Sequence, residues 1–236
     1  MSDSVIIIPT YNEIENVESM TRTVMAFEKD FHILYVDDNS PDGTADKVLE
    51  LQAEFPGRIH LEKRAGKLGL GTAYIHGFKW SIARDYEYIF EMDCDFSHNP
   101  KDLIRLYDAC VAGADLSIGS RYCKGGKVSN WPLKRVLMSY FASVYVRMIL
   151  FIGIKDTTAG FKCYRKKVLQ TIQLDAVTFK GYAFQICMKY AAVRHGFKIK
   201  EVPITFVDRL YGVSKMSSGI FKEAFFGVWK MRKMKL

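Results

Sequence analysis

Short apolar runs alternate with helical stretches through the first half of the 236-residue chain. The run Val5–Ile8 is apolar at every position and ends at Pro9, which is typical of a strand buried on both faces of a sheet. A second predicted strand covers His32–Val36. This alternation of strands and helices predicts an α/β fold with a mostly parallel central sheet and helices on both of its faces.

The same pattern continues along the chain and predicts one domain over residues 1–236. The other predicted strands cover residues 58–62, 88–92 and 114–119. Helices are predicted over residues 12–27, 44–55 and 69–83, and again after Asn99-Pro100. A core of this size needs no disulfide or structural metal to be stable.

Acidic residues lie at the carboxyl ends of three predicted strands. Ligands of parallel α/β sheets bind beyond these ends, so the carboxylates are expected to converge on one site. The residues are Glu13, Asp37, Asp38, Asp93 and Asp95.

Asp93 and Asp95 are separated only by Cys94. Carboxylate oxygens suit Mg²⁺ or Mn²⁺, which bind one or two carboxylates together with substrate phosphates. A divalent cation at this position would stabilise the charge that builds on a departing nucleoside diphosphate. The pair alone is a weak signal, because solvated turns often contain two acids.

Asp37 and Asp38 are adjacent, so their like charges repel each other. A turn with a helix cap explains the composition of residues 40–44 but not this acidic pair. A carboxylate here is able to accept hydrogen bonds from ribose hydroxyls or from a base N–H. Tyr11 and Glu13, after the first strand, are expected to complete such a nucleoside pocket.

The formal net charge is +8, and the positive charge is concentrated. Residues 116–155 contain seven Lys or Arg residues and no Asp or Glu. Such a surplus suits nucleic acid, anionic lipid or a phosphorylated substrate. The acidic clusters at the strand ends would repel a phosphate backbone, which argues against nucleic acid.

Two segments, residues 132–154 and 217–236, combine basic residues with aromatic and aliphatic ones. In the first segment, the uncharged run of residues 136–146 ends at Arg147 and is therefore shorter than the stretch of about 20 consecutive apolar residues of a spanning helix. The first segment is either a buried core helix or a helix lying in the lipid headgroup layer. Both segments are candidate membrane-interface helices, and a membrane-anchoring partner protein is the other route to a membrane.

The five cysteines are odd in number and show no CxxC spacing. A disulfide framework or a structural zinc site is therefore not expected. The N-terminus lacks the basic region and the cleavage site of a secretory signal. We expect a protein in the cytoplasm, held peripherally on the cytoplasmic face of a membrane.

Motifs along nearly the whole chain resemble those of glycosyltransferase family 2, in particular its polyprenol (dolichol) phosphate mannose synthases. The resemblance implies a GT-A fold and an inverting transfer of mannose from GDP-mannose to polyprenyl phosphate, giving polyprenyl-phosphate mannose and GDP. Each motif is weak alone, but together they follow the family's order. The matching segments are residues 9–13, 36–44, 92–98, 119–122, 156–162, 181–185, 202–209 and 211–216.

Matched residue by residue, the resemblance implies four sets of site residues. Nucleotide-sugar binding falls on Pro9, Tyr11, Glu13, Val36, Asp38, Asp93, Cys94, Asp95, Arg209 and Lys215. Acceptor-phosphate binding falls on Arg121, Arg135 and Ser139. Metal binding falls on Asp93, Asp95 and Ser97, and catalysis on Asp95, Arg121 and Arg209.

The acceptor set agrees with the charge pattern, because Arg121 and Arg135 lie within the acid-free stretch. Guanidinium groups match phosphate oxygens in geometry and charge. Ser139 lies one turn beyond Arg135, so both are expected on one helix face.

Cys187 departs from the family, which usually has an acid two residues after the Phe-Gln pair. A phosphate acceptor is already an anion near neutral pH and needs no general base, so we expect activity to survive. Two alternatives stay open. One is a glucosyl or other hexosyl transferase to the same lipid from a UDP-sugar, and the other is a catalytically impaired nucleotide-sugar-binding protein.

Overall fold

The computed structural model of the chain describes residues 2–208 and 218–234. The strands are β1 (Ser4–Thr10), β2 (Phe31–Asp37), β3 (Ile59–Lys63), β4 (Tyr88–Glu91), β5 (Leu116–Ser120), β6 (Lys127–Ser129), β7 (Lys162–Arg165), β8 (Ile199–Pro203) and β9 (Thr205–Val207). The α-helices are α1 (Ile14–Met25), α2 (Thr44–Glu54), α3 (Leu70–Ala83), α4 (Asp102–Val111), α5 (Leu133–Leu150), α6 (Lys166–Thr171), α7 (Tyr182–Arg194) and α8 (Ser218–Met231). A short 3₁₀ helix covers Leu174–Ala176.

The main sheet has seven strands in the order β3-β2-β1-β4-β7-β5-β8. Strand β1 is parallel to β2 and β4, β2 is parallel to β3, and β5 is parallel to β8. Strands β6 and β9 form a separate parallel pair. The predicted α/β class with a mostly parallel sheet is therefore confirmed.

Strand β1 shows why the apolar run folds as it does. Val5 and Ile7 belong to the core on one face of the sheet, and Ile6 and Ile8 belong to the core on the other face. All four side chains are fully buried, and full burial of such a side chain contributes about 1.5–3 kcal/mol. A run that alternates between two faces must be apolar at every position.

Strand β7 is antiparallel to both of its neighbours, β4 and β5, which the strand–helix rhythm did not predict. Glu91 at the carboxyl end of β4 pairs with Lys162, and Ile118 in β5 pairs with the same residue. The amino end of β7 thus lies at the edge where β4 and β5 end. As a result, the segment 156–161 before β7 enters the sheet at the edge that carries the predicted site.

Helices α5 and α8 lie against each other at one side of the domain. Within α5, the only buried side chains are Ser143, Val146 and Leu150. Tyr145 stacks on Phe225 with ring centroids 4.8 Å apart. Within residues 2–208 and 218–234, no helix combines the length and the apolar content that crossing a bilayer requires.

Candidate active site

The two adjacent acids at the carboxyl end of β2, Asp37 and Asp38, have different surroundings. Asp37 is fully buried and accepts hydrogen bonds from the hydroxyl of Thr10 (2.9 Å) and from the hydroxyl and N–H of Ser40 (2.6 and 2.9 Å). Asp38 instead accepts from Nε of Arg64 at 2.5 Å. Burial raises the pKa of Asp38, and Arg64 opposes that shift. Asp37 therefore fixes the turn, whereas Asp38 is paired with Arg64.

The other predicted nucleoside residues lie around this pair. Pro9 and Val36 are partners in the register of β1 and β2. Val36 is fully buried in the core, so its side chain supports the strand end. The ammonium of Lys67 lies 4.7 Å from the ring centroid of Tyr11. Glu13 precedes the first residue of α1, and its backbone N–H donates to Thr44 Oγ1 at 3.0 Å.

The residues after β4 form a tight turn. Cys94 is buried in the core, whereas Asp95 accepts a hydrogen bond from the N–H of Ser97 at 3.0 Å. Between Asp95 and Ser97, Phe96 has a φ of +59°, a left-handed conformation that is unusual for a bulky residue. Such conformations cluster at functional sites, where the surrounding structure holds them in place. Here the conformation turns Ser97 back toward Asp95.

His98 supports the backbone of the same turn. The N–H of Asp93 donates to Nδ1 of His98 at 3.1 Å. The imidazole stacks on Phe161 with centroids 4.9 Å apart and meets the edge of Phe206 at 5.6 Å. Burial lowers the pKa of His98 to about 4, so the ring is neutral at pH 7 and carries its proton on Nε2. His98 belongs to the matching segment 92–98, but nothing in its sequence context predicts this contact.

The carboxylate oxygens of Asp93 and Asp95 at this turn suit a hard divalent cation. The side chain of Asp93 is 40% exposed, and that of Asp95 is nearly buried. Among the residues that the structure describes, no three His, Cys, Asp or Glu side chains cluster as metal ligands. Two carboxylates completed by substrate phosphates are a common arrangement for Mg²⁺. The predicted metal residues thus fit a cation that binds together with a phosphorylated substrate.

A cavity of about 540 Å³ lies between α5, α7 and α8. The three residues predicted to bind the acceptor phosphate, Arg121, Arg135 and Ser139, all line it, together with Thr158 and Tyr182. The rest of its wall is mostly apolar and includes Met138, Phe141, Val146, Ile186, Phe225 and Phe226. The cavity therefore combines cationic groups with an apolar body, which suits an amphiphilic anion.

Arg121 is held rigidly at this cavity. Its Nε and Nη2 donate to the two carboxylate oxygens of Asp156 at 2.7 and 2.6 Å, and Nη2 also donates to the hydroxyl of Thr158 at 2.7 Å. Burial opposes the charged form of Arg121, but Asp156 raises its pKa above the ordinary value. Arg121 stays protonated and in one orientation. Asp156 and Thr158 were in a matching segment without an assigned role.

Lys189 stabilises the loop that carries Thr158. Its ammonium is fully buried and donates to the backbone carbonyls of Thr157 (2.9 Å) and Ala159 (2.6 Å). Burial lowers the pKa of Lys189 well below its ordinary value. The two carbonyls flank Thr158, so Lys189 holds the backbone on both sides of the residue whose hydroxyl accepts from Arg121. A lysine within an apolar helix gave no signal of this role.

Arg135 has a looser arrangement. Its Nη1 lies 3.2 Å from both carboxylate oxygens of Asp208, and its guanidinium lies 3.9 Å from the ring centroid of Trp131. About one third of each charged side chain is exposed. Neither Asp208 nor Trp131 was predicted as a site residue.

Cys187 lies away from the cavity. Its side chain is fully buried in the core, and burial raises the pKa of the thiol to about 12. The neighbouring Ile186 is the residue of this turn that lines the cavity. The identity of residue 187 therefore affects packing, and the thiol does not reach a ligand there. All five cysteines are free.

Two predicted site residues, Arg209 and Lys215, lie outside the described residues. The roles of both residues in nucleotide-sugar binding, and that of Arg209 in catalysis, stay predictions. The predicted interface segment 217–236 is described over residues 218–234.

The profile of glycosyl transferase family 2 matches residues 5–173. A polyprenol monophosphomannose synthase from Mycolicibacterium smegmatis is 49% identical over 97% of this chain and 87% of its own length. An undecaprenyl-phosphate mannosyltransferase from Micrococcus luteus is 48% identical over 92% of this chain and 89% of its own length.

Solved structures with low sequence identity share the architecture. Glucosyl-3-phosphoglycerate synthase from Mycobacterium tuberculosis, in complex with Mn²⁺, UDP and glucosyl-3-phosphoglycerate, has a TM-score of 0.68 at 16% identity over 98% of this chain and 80% of that one. A mannosyltransferase from Pyrobaculum calidifontis, in complex with GDP-Man and Mn²⁺, has a TM-score of 0.58 at 12% identity over 97% of this chain and 69% of that one. The predicted GT-A fold is confirmed.

Proposed function

This chain belongs to glycosyl transferase family 2, and from that premise we propose that it is an inverting mannosyltransferase acting on a polyprenyl phosphate. The cavity carries this proposal. It joins two arginines, Arg121 and Arg135, to an apolar body, as a phosphate on a polyprenyl chain requires. The relatives at 48% and 49% identity, both named for mannosyl transfer to a polyprenol, support the acceptor and the sugar.

The proposed donor is GDP-mannose. The mannosyltransferase from Pyrobaculum calidifontis, which shares the fold, was solved with GDP-Man. In this chain, Asp38 is the proposed nucleoside carboxylate, since both oxygens of Asp37 are bound within the turn. Arg64 orients Asp38, and Tyr11 beside Lys67 lies at the neighbouring strand end.

The reaction is a single in-line displacement. An oxygen of the acceptor phosphate attacks the anomeric carbon of mannose, the bond from that carbon to the GDP oxygen breaks, and the configuration inverts. Arg121 holds the phosphate in a fixed orientation, which lowers the entropic part of the barrier. The attacking oxygen is already anionic near neutral pH, so no side chain needs to remove a proton. Cys187 is buried in the core, and Nδ1 of His98 already accepts the N–H of Asp93, so neither side chain is needed as a base.

Asp93 and Asp95 would hold Mg²⁺ or Mn²⁺, as their oxygen ligands suit either ion. When bound, the cation supplies electrostatic stabilisation to the charge that develops on the diphosphate. The role of the chain is to orient the two carboxylates. The left-handed Phe96 and the hydrogen bond from Ser97 fix Asp95, and His98 fixes the backbone at Asp93.

Helices α5 and α8 form the proposed membrane-facing surface. Phe141, Phe225 and Phe226 line the cavity and are also exposed, by 61%, 53% and 67%. The cavity therefore opens on this apolar face, from which a polyprenyl chain is able to enter. Further exposed apolar side chains on it are Leu133, Leu137, Met148, Phe151 and Trp229. We propose peripheral attachment through this face, on the cytoplasmic side.

The test uses purified protein, radiolabelled GDP-mannose and a polyprenyl phosphate, with Mg²⁺, Mn²⁺ or EDTA. We expect label in the organic phase with either ion and none with EDTA. A parallel reaction with radiolabelled UDP-glucose tests donor choice. Transfer from UDP-glucose alone would overturn the mannose assignment, and transfer from neither donor would overturn the enzyme assignment.

A further inference from the structure

The small sheet formed by β6 and β9 places Asp208 beside the first turn of α5. In its parallel register, Ser129 pairs with Val207, so the segments that follow β6 and β9 leave the sheet at the same end. The segment after β6 continues into α5, where Arg135 lies in the first turn, and β9 is followed directly by Asp208. The fold therefore places Asp208 close to Arg135, within reach of an ion pair.

Strand β9 also lies between the two halves of the site. The N–H of Val207 is 3.4 Å from the carbonyl oxygen of Ser97, in the turn that carries the predicted metal residues. The ring of Phe206 contacts His98 on that side and Trp131 on the cavity side, with centroids 5.6 and 5.2 Å away. The two residues that precede Asp208 therefore contact both the turn with the predicted metal residues and the wall of the cavity.

The two arginines of the cavity differ in how firmly their carboxylates are bound. Asp156 binds Arg121 through two nitrogens at 2.6 and 2.7 Å, and the Asp156 side chain is fully buried. Asp208 binds Arg135 through one nitrogen at 3.2 Å, and its side chain is 37% exposed. Exposed pairs of this kind are weak, whereas a buried bidentate pair is costly to break. Only the Arg135 pair is suited to exchange.

We propose that Asp208 is an exchangeable counter-ion that holds Arg135 until the acceptor phosphate displaces it. This inference rests on the proposed function, because it takes the phosphate to be the ligand of Arg135. A phosphate dianion carries more charge than a carboxylate and binds a guanidinium through two oxygens. Asp208 therefore keeps Arg135 in place over Trp131 and competes with the incoming ligand.

Competition makes the sign of the effect diagnostic. Asp208→Asn should lower the KM for polyprenyl phosphate about two- to fivefold, the range that a partly exposed ion pair supports. The KM for GDP-mannose should not change. If Asp208 only oriented Arg135, the same substitution would raise the KM for the acceptor, and that result would overturn the proposal.

The matched control is Glu87→Gln. Glu87 pairs with Arg165 at 2.9 Å, and these side chains are 35% and 34% exposed. Glu87→Gln therefore removes the same charge as Asp208→Asn, from an ion pair of similar exposure. Glu87 immediately precedes β4, at the end of that strand opposite the turn that carries Asp93 and Asp95. The control should leave the acceptor KM unchanged. An equal decrease in this variant would mean that net charge alone acts on the acceptor, which overturns the proposal.

A double-mutant cycle tests the partner. In the Arg135→Ala background, Asp208→Asn should give no decrease in the dissociation constant of farnesyl phosphate, measured by tryptophan fluorescence. Asp208→Ser must show the same direction as Asp208→Asn in the wild-type background, and thermal melts check that each variant folds. A full decrease in the Arg135→Ala background would overturn the exchange. Wild-type protein that neither binds farnesyl phosphate nor transfers mannose would instead count against the proposed function.

Discussion

Arg121 and Asp156 share three hydrogen bonds: two from the guanidinium, at 2.7 and 2.6 Å, and one from the backbone N–H of Arg121, at 2.9 Å. Asp156 is in turn held at its own N–H by Glu201, at 3.0 Å. The cationic end of the cavity is therefore organised before any ligand binds. A preorganised site loses less entropy on binding than one that must order its side chains.

Asp156→Asn should destabilise the protein by about 3–5 kcal/mol, because it leaves the buried charge of Arg121 without a counter-ion. The measurement is urea unfolding at pH 7. Asp85→Asn is the control, since Asp85 pairs with Lys166 at the surface and is 90% exposed; it should change stability by less than about 0.5 kcal/mol. Equal effects of the two substitutions would contradict the structural role of Asp156.

Asp93→Asn and Asp95→Asn should each lower turnover by about a hundredfold or more, because each removes a charge that holds the cation. Mannosyl transfer at saturating Mn²⁺ gives the rate. Asp175→Asn, which changes an exposed acid paired with Lys79, should transfer at the wild-type rate. Near-normal turnover in Asp95→Asn would remove the metal from the mechanism.

His98 should make stability depend on pH. Burial lowers its folded-state pKa to about 4, below the ordinary value of 6.5, so the unfolded chain binds the proton more readily. The contribution of neutral His98 to the free energy of unfolding is complete above pH 6.5 and is lost as the pH falls toward 4. Between pH 7 and 4.5, the wild type should lose about 2 kcal/mol more than His98→Gln. The free energy of unfolding in urea is measured against pH for both proteins. Parallel curves would rule out this contribution of His98.

Cys187→Ala should retain turnover within about twofold, because the thiol is buried away from the cavity. Its stability should fall by about 1 kcal/mol through lost packing. Cys187→Glu should destabilise more strongly without raising the rate, since it buries a carboxyl in an apolar core. A higher rate in the Glu variant would show that residue 187 does act as a base.

Replacing Phe141, Phe225 and Phe226 together by Ser should weaken co-sedimentation with anionic vesicles by about tenfold or more, because three exposed aromatic side chains are lost from one face. Leu49→Ser/Val111→Ser is the matched control. These side chains are also exposed, by 45% and 56%, but lie on α2 and α4. Equal loss of vesicle binding in the control would contradict docking through α5 and α8.

The sequence predicted the features that depend on local pattern. The apolar run Val5–Ile8 specifies a strand buried on both faces, and Asp93-Cys94-Asp95 follows a strand end whatever the rest of the fold does. Arg135 and Ser139 share a helix face because their spacing is close to one turn. Each of these inferences needs only neighbouring residues.

Long-range pairings escaped prediction. Arg64 and Asp38 are 26 positions apart, and Arg135 and Asp208 are 73 apart, so no spacing rule joins them. The antiparallel β7 also depends on where the segment 156–161 re-enters the sheet. The conflict at Asp37-Asp38 was visible in the sequence, but its resolution required Arg64 and the Ser40 turn.

Because the exposed face of α5 and α8 also lines the cavity, the proposed acceptor would reach the site along the membrane surface and not from bulk solution. For an enzyme docked by Phe141, Phe225 and Phe226, the acceptor arrives by lateral diffusion within one leaflet. Its relevant concentration is then a number per unit area of membrane. Diluting loaded vesicles into buffer should leave the rate of the bound enzyme unchanged, and diluting the acceptor with inert lipid should lower it.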